Sequence, residues 1–181
     1  MVATPLEEEA RLLERARAGE EAALEILVRA HQDAVHRVAY RVLGDPDKAA
    51  DAAQDTFVRA LAALDGFRSE SSLRTWLLRI AANTARSAGR RETRRREVAL
   101  DPHEDRIRGA GNPERQAFAR AEAERVEAAI RSLPEKQRLA VSLRIHEELS
   151  HREIGQVLGS SEGAARVNYH LGIKRLRELL A

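Results

Sequence analysis

Apolar residues at three- and four-residue intervals, cut by proline and glycine stops, run through most of this chain and commit it to amphipathic helices. Leu24, Leu27, Val28, Val35, Val38 and Val42 form one such stripe, which ends at Gly44. Asp45 before Pro46 reads as an N-cap followed by a first-turn proline, and Ala50, Ala53, Phe57, Leu61 and Leu64 carry the next stripe to Gly66. Thr4, Pro5, Glu7, Glu8 and Glu9 repeat the signal for a short acidic helix stopped at Gly19, because carboxylates complement the positive end of the helix dipole. Residues 67–72 break the period, after which Leu73, Trp76, Leu77 and Ile80 mark the buried face of a fourth helix.

From residue 92 to residue 112 the sequence turns polar and irregular, with Pro102, Gly109, Gly111 and Pro113 at its close, and no apolar period survives. A mobile linker is expected there. Asn112 and Pro113 then open a helix with Phe118, Val126, Ala129, Ile130 and Leu133 inward, and Pro134 opens another through Leu139 and Leu143. Ser150 with Glu153 three positions on is a capping box for a short helix ending at Leu158 and Gly159. Ser161 caps a last helix through Val167, Leu171, Leu176 and Leu179, so two helices meet at a tight glycine-containing turn in the helix-turn-helix manner. The expectation is an all-α chain of two small helical domains, residues 1–91 and 122–181, joined by a flexible linker over 92–121. A length of 181 residues with 43% hydrophobic content can supply both cores.

Several chemistries are disfavoured. Without cysteine there is no disulfide framework, thiolate metal site or cysteine nucleophile. No run approaches the roughly 18 apolar residues of a membrane span, and the acidic start lacks the basic, apolar pattern of a secretory signal, so a cytoplasmic location is expected. His146 and His151 are five apart, as are His31 and His36, and five residues turn the second side chain about 140° off the first. A zincin helix needs four. With no phosphate-cradling glycine loop and no nucleophile elbow, neither enzymatic activity nor a metal or cofactor is expected.

A formal net charge of +2 hides strong segregation: residues 1–25 hold seven acids against three bases, and residues 79–96 hold seven bases against one acid. At about 100° per residue, Arg79, Asn83, Arg86 and Arg90 fall in a narrow stripe distinct from the apolar one. Such a ridge suits a polyanion, although a charge run also serves as a plain solvated face. The last helix carries Arg166, Asn168, Tyr169, His170, Lys174 and Arg175, side chains able to meet a DNA groove.

Two stretches resemble a known family. Asp51-Ala-Ala-Gln-Asp-Thr-Phe-Val-Arg-Ala-Leu, with Phe67-Arg-Ser-Glu-Ser-Ser-Leu-Arg-Thr-Trp-Leu-Leu-Arg-Ile-Ala-Ala-Asn-Thr, is similar to region two of extracytoplasmic-function RNA polymerase sigma factors. Leu133-Pro-Glu-Lys-Gln-Arg, Leu149-Ser-His-Arg-Glu-Ile-Gly and Lys174-Arg-Leu-Arg-Glu-Leu-Leu are similar to their region four. The order and spacing of both sets agree with that family over nearly the whole chain.

The resemblance implies a subunit that binds core RNA polymerase, recognises minus-10 and minus-35 promoter elements and assists opening for transcription initiation. It implies that Asp51, Gln54 and Asp55 meet the polymerase. Phe67, Arg68, Ser69, Ser71, Ser72 and Asn83 match the loop and helix start that receive a flipped nontemplate base, with Arg79, Arg86 and Arg90 on phosphates. Phe67 equally suits a core position, and Trp76 suits one better. Arg166, Asn168, Tyr169, His170, Lys174 and Arg175 match the helix that reads the minus-35 duplex, although Asn168, Leu171 and Ile173 stand where arginine is common in the family. Asn168 could instead cap a neighbouring carbonyl. The implied partners are core polymerase, promoter DNA as duplex and as nontemplate single strand, and an anti-sigma factor, with no membrane insertion. The competing readings are a helix-turn-helix regulator that binds an operator as a dimer, and a helical protein-binding adaptor. Mixing with core polymerase separates them.

Overall fold

The computed structural model describes residues 5–99 and 115–181. In chain order the helices are α1 (Pro5–Arg17), α2 (Glu21–Leu43), α3 (Pro46–Ala62), α4 (Leu73–Ala99), α5 (Arg115–Arg131), α6 (Glu135–Ile145), α7 (His151–Leu158) and α8 (Glu162–Leu180), with one 3-10 turn at Leu64–Gly66. Among the described residues there is no strand.

The ends of these helices follow local side-chain chemistry. Asp45 Oδ1 accepts hydrogen bonds from the backbone N–H groups of Asp47 and Lys48 at 2.9 and 3.0 Å, with Pro46 in the first turn of α3. Gly44 closes α2 in the left-handed region at φ 72°, a conformation that a side chain at this position would strain. The Ser150–Glu153 box is complete, since the Ser150 N–H donates to the Glu153 carboxylate at 2.8 Å and the Glu153 N–H to Ser150 Oγ at 3.3 Å. Ser161 caps α8 by accepting from the Ala164 N–H at 3.2 Å.

Helices α1 to α4 pack as one group and α6 to α8 as another, with α5 laid against α8. Helix α4 also packs on α7, and α2 on α6. One apolar cluster therefore extends from Val35, Leu77 and Leu78 to Leu139, Leu143 and Ile154, all of them buried. Full burial of each such side chain is worth about 1.5–3 kcal/mol. A third face of α4 makes this possible: besides Leu73 and Leu77, it buries Leu78, Ala81, Ala82 and Ala85.

Three expectations need correction. The polar stretch from residue 92 does not leave the helix at once, because α4 continues to Ala99, whereas α5, described from Arg115, agrees with a helix opened by Asn112 and Pro113; residues 100–114 lie outside the described residues. Arginine is a good helix former, so a basic run prolongs a helix that has no breaker. On α8 the inward stripe is Ala165, Gly172 and Leu176, with Tyr169 half-buried, while Val167, Leu171 and Leu179 face solvent. There α8 lies against Val141 and Gln137 of α6 so closely that small residues are required: a Cβ on Gly172 would stand 2.7 Å from Val141 Cγ2. Residues expected inside are exposed on two further helices: Leu61 of α3 is 43% exposed beside Val58 at 62%, Ala50 of α3 faces solvent, and Val126 of α5 is 37% exposed.

Candidate nucleic-acid interface

The basic ridge on α4 is real as a surface. Arg79, Asn83 and Arg90 are exposed along one face, and Arg86 lies between them, half-buried. Arg90 donates to Ser87 Oγ at 3.1 Å, and Arg86 Nη1 donates to Asn83 Oδ1 at 3.4 Å. At its start the ridge borders a cavity of about 140 Å³ lined by Gly66, Phe67, Arg68, Glu70, Ser71, Trp76, Arg79 and Gln156. Phe67 is only 6% exposed and rests at 5.0 Å, ring to ring, on Trp76. Its carbonyl accepts from Arg17 Nη2, while Arg17 Nε donates to the Leu64 carbonyl at 3.3 Å, so α1 ties down the loop that shapes the cavity. Phe67 thus anchors the cavity from the core. Ser72 caps α4, its Oγ accepting from the Thr75 N–H at 3.1 Å, and Ser69 holds a left-handed φ of 57° that turns the loop toward the helix.

On α8 the side chains of Arg166, His170, Lys174 and Arg175 are exposed, and Asn168 and Tyr169 are half-buried. The Asn168 amide donates to the Ala164 carbonyl at 2.8 Å, and Arg166 pairs with Glu162 at 2.8 Å. Tyr169, His151 and His170 form a ring cluster with centroids 5.4–6.3 Å apart, which ties α8 to the start of α7. The exposed Val167 and Leu171 add apolar contact area to the same helix.

On α3, Asp51, Gln54 and Asp55 are exposed and continue along the helix into Val58 and Leu61. Acidic and apolar groups on one face suit a protein partner rather than a nucleic acid.

Sequence reasoning gave Glu147 no role. It is 3% exposed, and among the described residues the other buried polar side chains are hydroxyls. Arg37 of α2 grips its carboxylate through Nε at 2.7 Å and Nη2 at 3.2 Å, and Arg74 of α4 donates to the same carboxylate. Burial pushes the Glu147 carboxyl up, but the hydrogen bonds and charge of the two arginines hold it net below the usual carboxylate range.

The model of sigma-70 region 2 matches residues 27–95, and that of sigma-70 region 4 matches residues 123–176. The RNA polymerase sigma-H factor of Pseudomonas aeruginosa is 35% identical over 169 residues, which span 88% of this chain and 87% of that protein. The chain is a sigma factor of the sigma-70 family. Its relatives include the ECF RNA polymerase sigma-E factor of Salmonella typhimurium, 34% identical over 86% of this chain and 85% of the relative. The ECF RNA polymerase sigma factor SigE of Mycolicibacterium smegmatis is 37% identical over 86% of this chain, but the match spans only 60% of that longer protein. Among solved structures, CnrH in complex with the cytosolic domain of CnrY superposes with a TM-score of 0.71 at 27% identity, covering 95% of this chain and 96% of that one. The fold is shared as well by RpoE from Bartonella quintana, at a TM-score of 0.71 and 24% identity. As a sigma factor the protein directs RNA polymerase, and the operator-binding dimer is not favoured. No described helix is long and apolar enough to cross a membrane.

Proposed function

We propose that this sigma factor opens promoters by capturing nontemplate bases at the α4 cavity while α8 holds the minus-35 duplex. What carries the reading is the coincidence on α4 of an exposed Arg79–Asn83–Arg90 ridge with a cavity floored by Phe67 and Trp76. Arginines on phosphates position a strand without reading it, and an aromatic-backed cavity with polar rims receives an unstacked base. Base stacking on a protein surface is worth about 1–3 kcal/mol, and a DNA base-pair step costs about 1.4 kcal/mol on average to open. Capture of one or two bases thus offsets the first steps of melting, with no nucleotide hydrolysis by this subunit. The protein acts as a binding subunit, without a catalytic centre, in the cytoplasm where its polymerase is.

Core polymerase binds the α3 face of Asp51, Gln54, Asp55, Val58 and Leu61. On α8, Arg166, Lys174 and Arg175 contact phosphates, and Tyr169 and His170 stand nearer the groove. Asn168 reads a base only if its amide leaves the Ala164 carbonyl. RpoE from Bartonella quintana is seen in complex with the anti-sigma factor NepR, and a partner of that kind is proposed for this chain.

Asn83→Ala is the direct test, because the side chain is exposed and its loss spares the core, whereas Phe67→Ala would damage it. Open-complex formation on a duplex promoter is expected to fall about tenfold, the equivalent of about 1.4 kcal/mol, with little change on a template already melted over the minus-10 element. Equal losses on both templates would remove Asn83 from strand capture.

A further inference from the structure

Arg17, the last residue of α1, shapes the α4 cavity without lining it. One edge of its guanidinium faces the loop before α4, where Nε donates to the Leu64 carbonyl at 3.3 Å and Nη2 donates to the Phe67 carbonyl. The remaining nitrogen, Nη1, donates to Glu14 of the same helix at 2.6 Å. Helix α1 is seated for this, because Leu13 and Ala16 are buried in the same apolar cluster as Leu64 and Phe67. The two acceptors lie 47 and 50 residues further along the chain, so the loop is gripped by an element remote from it in sequence.

The position of the grip gives it a consequence. A peptide group is planar, so holding the Phe67 carbonyl also orients the Arg68 N–H and the direction in which the loop leaves. From this stretch the cavity takes Gly66, Phe67, Arg68, Glu70 and Ser71, and from α4 it takes Trp76 and Arg79. Residues 67–72 belong to no helix, and Ser69 among them holds a φ of 57° that non-glycine residues rarely adopt. A conformation of that kind persists where the surroundings impose it. The Leu64 carbonyl also accepts from the Phe67 N–H at 3.1 Å, so Arg17 spans both ends of the turn that leads into the cavity wall. A guanidinium suits the task, since its planar fork meets two carbonyls at once, whereas a lysine ammonium is a point donor.

We propose that Arg17 is a positioning residue for base capture: from α1, and without touching DNA, it sets the loop side of the cavity in the shape that receives an unpaired nontemplate base. Its hold on the loop stands on the geometry alone, and its effect on capture rests on the promoter reading above.

Trp76 is the only tryptophan of the chain and lies 5.0 Å, ring to ring, from Phe67, so its fluorescence reports on the loop. In the full-length protein, Arg17→Gln should shift the Trp76 emission to the red and raise its quenching by acrylamide. Arg17→Lys, able to serve one carbonyl at a time, should do so less. Capture is read on holoenzyme reconstituted with core polymerase. The probe is the nontemplate minus-10 strand of a promoter that this holoenzyme transcribes, either intact or with an abasic site at each position in turn. Wild type should bind the intact strand about tenfold more tightly than the strand lacking the captured base, as the loss of one stacked base implies. With Arg17→Gln that ratio should fall to about two, with Arg17→Lys between, and affinity for the abasic strand should hold, the sign of coupling between the residue and the base. A merely structural arginine would lower affinity for both strands alike and leave the ratio at its wild-type value, which overturns the proposal. Unchanged Trp76 quenching in a folded variant overturns it too. Should circular dichroism show that Arg17→Gln does not fold, Arg17→Lys decides by the same two readings. If wild type discriminates at no position while quenching still rises in the variants, the promoter reading of the cavity fails, the role of Arg17 in capture falls with it, and only its hold on the loop stands.

Discussion

Gly155→Val is expected to destroy minus-35 duplex binding while leaving minus-10 strand binding in place. A Cβ on Gly155 would stand 2.8 Å from the Ser160 carbonyl oxygen, 3.1 Å from the Ser161 carbonyl carbon and 3.2 Å from the Glu162 nitrogen. All three are backbone atoms of the turn between α7 and α8, so no side-chain rotation relieves the clash, and Ser160 N–H donates to the Gly155 carbonyl across the same gap at 2.8 Å. Overpacking of this kind costs about 3 kcal/mol, which lowers the melting temperature of a unit this small by roughly 10 °C or more. Gly163→Ala is the control. Its added methyl would meet nothing nearer than Ser161 Oγ at 3.9 Å, and alanine is the better helix former, so stability should hold or rise by about 0.5–1 kcal/mol. Calorimetry of the two variants, with gel-shift titrations on duplex and single-stranded probes, checks both halves. Equal stability for Gly155→Val and wild type would mean that the turn is not closed as described.

Replacing Asp51, Gln54 and Asp55 together by alanine should weaken binding to core polymerase about a hundredfold, roughly 2.7 kcal/mol, with helical content unchanged. All three are exposed on α3, so the fold loses little when they are truncated. Exposed carboxylates contribute little where water still reaches them, and their effect becomes large only where a partner covers them. Val58 and Leu61, exposed on the same side, supply the apolar part that lets such a partner exclude water. Competition against a second sigma factor for a limiting amount of core reads the affinity directly. An unchanged exchange curve would take this face out of the interface.

Much of the architecture was legible because helix ends are decided locally. Asp45 with Pro46, Gly44 as a stop, the Ser150–Glu153 box and the Ser161 cap are each settled within four residues, and the structure realises all of them. What was not legible depends on what each helix meets. Val167 and Leu171 have the spacing of a core stripe, yet the face that touches α6 is the one bearing Ala165, Gly172 and Leu176, since close approach there selects for small residues. The alanines of α4 were the available signal that the helix is covered on a further side. Glu147 gave none: in sequence it is the first of two adjacent acids between two histidines, and only the fold brings Arg37 and Arg74, 110 and 73 residues away, to the same carboxylate. Asn168 shows the same limit in the candidate site, because a shift of one position in register decides between a base edge and the carbonyl it bonds here.

The central claim is that this chain confers promoter choice on RNA polymerase, and reconstituted transcription tests it most directly. Core polymerase should be mixed with the purified protein on a library of genomic fragments, and the 5′ ends of the transcripts mapped. The account predicts a stable holoenzyme and start sites that share paired upstream motifs at minus-35 and minus-10, absent when core is used alone. If the protein fails to join core polymerase, or instead binds a duplex operator unaided as a dimer without altering start-site choice, the account is contradicted.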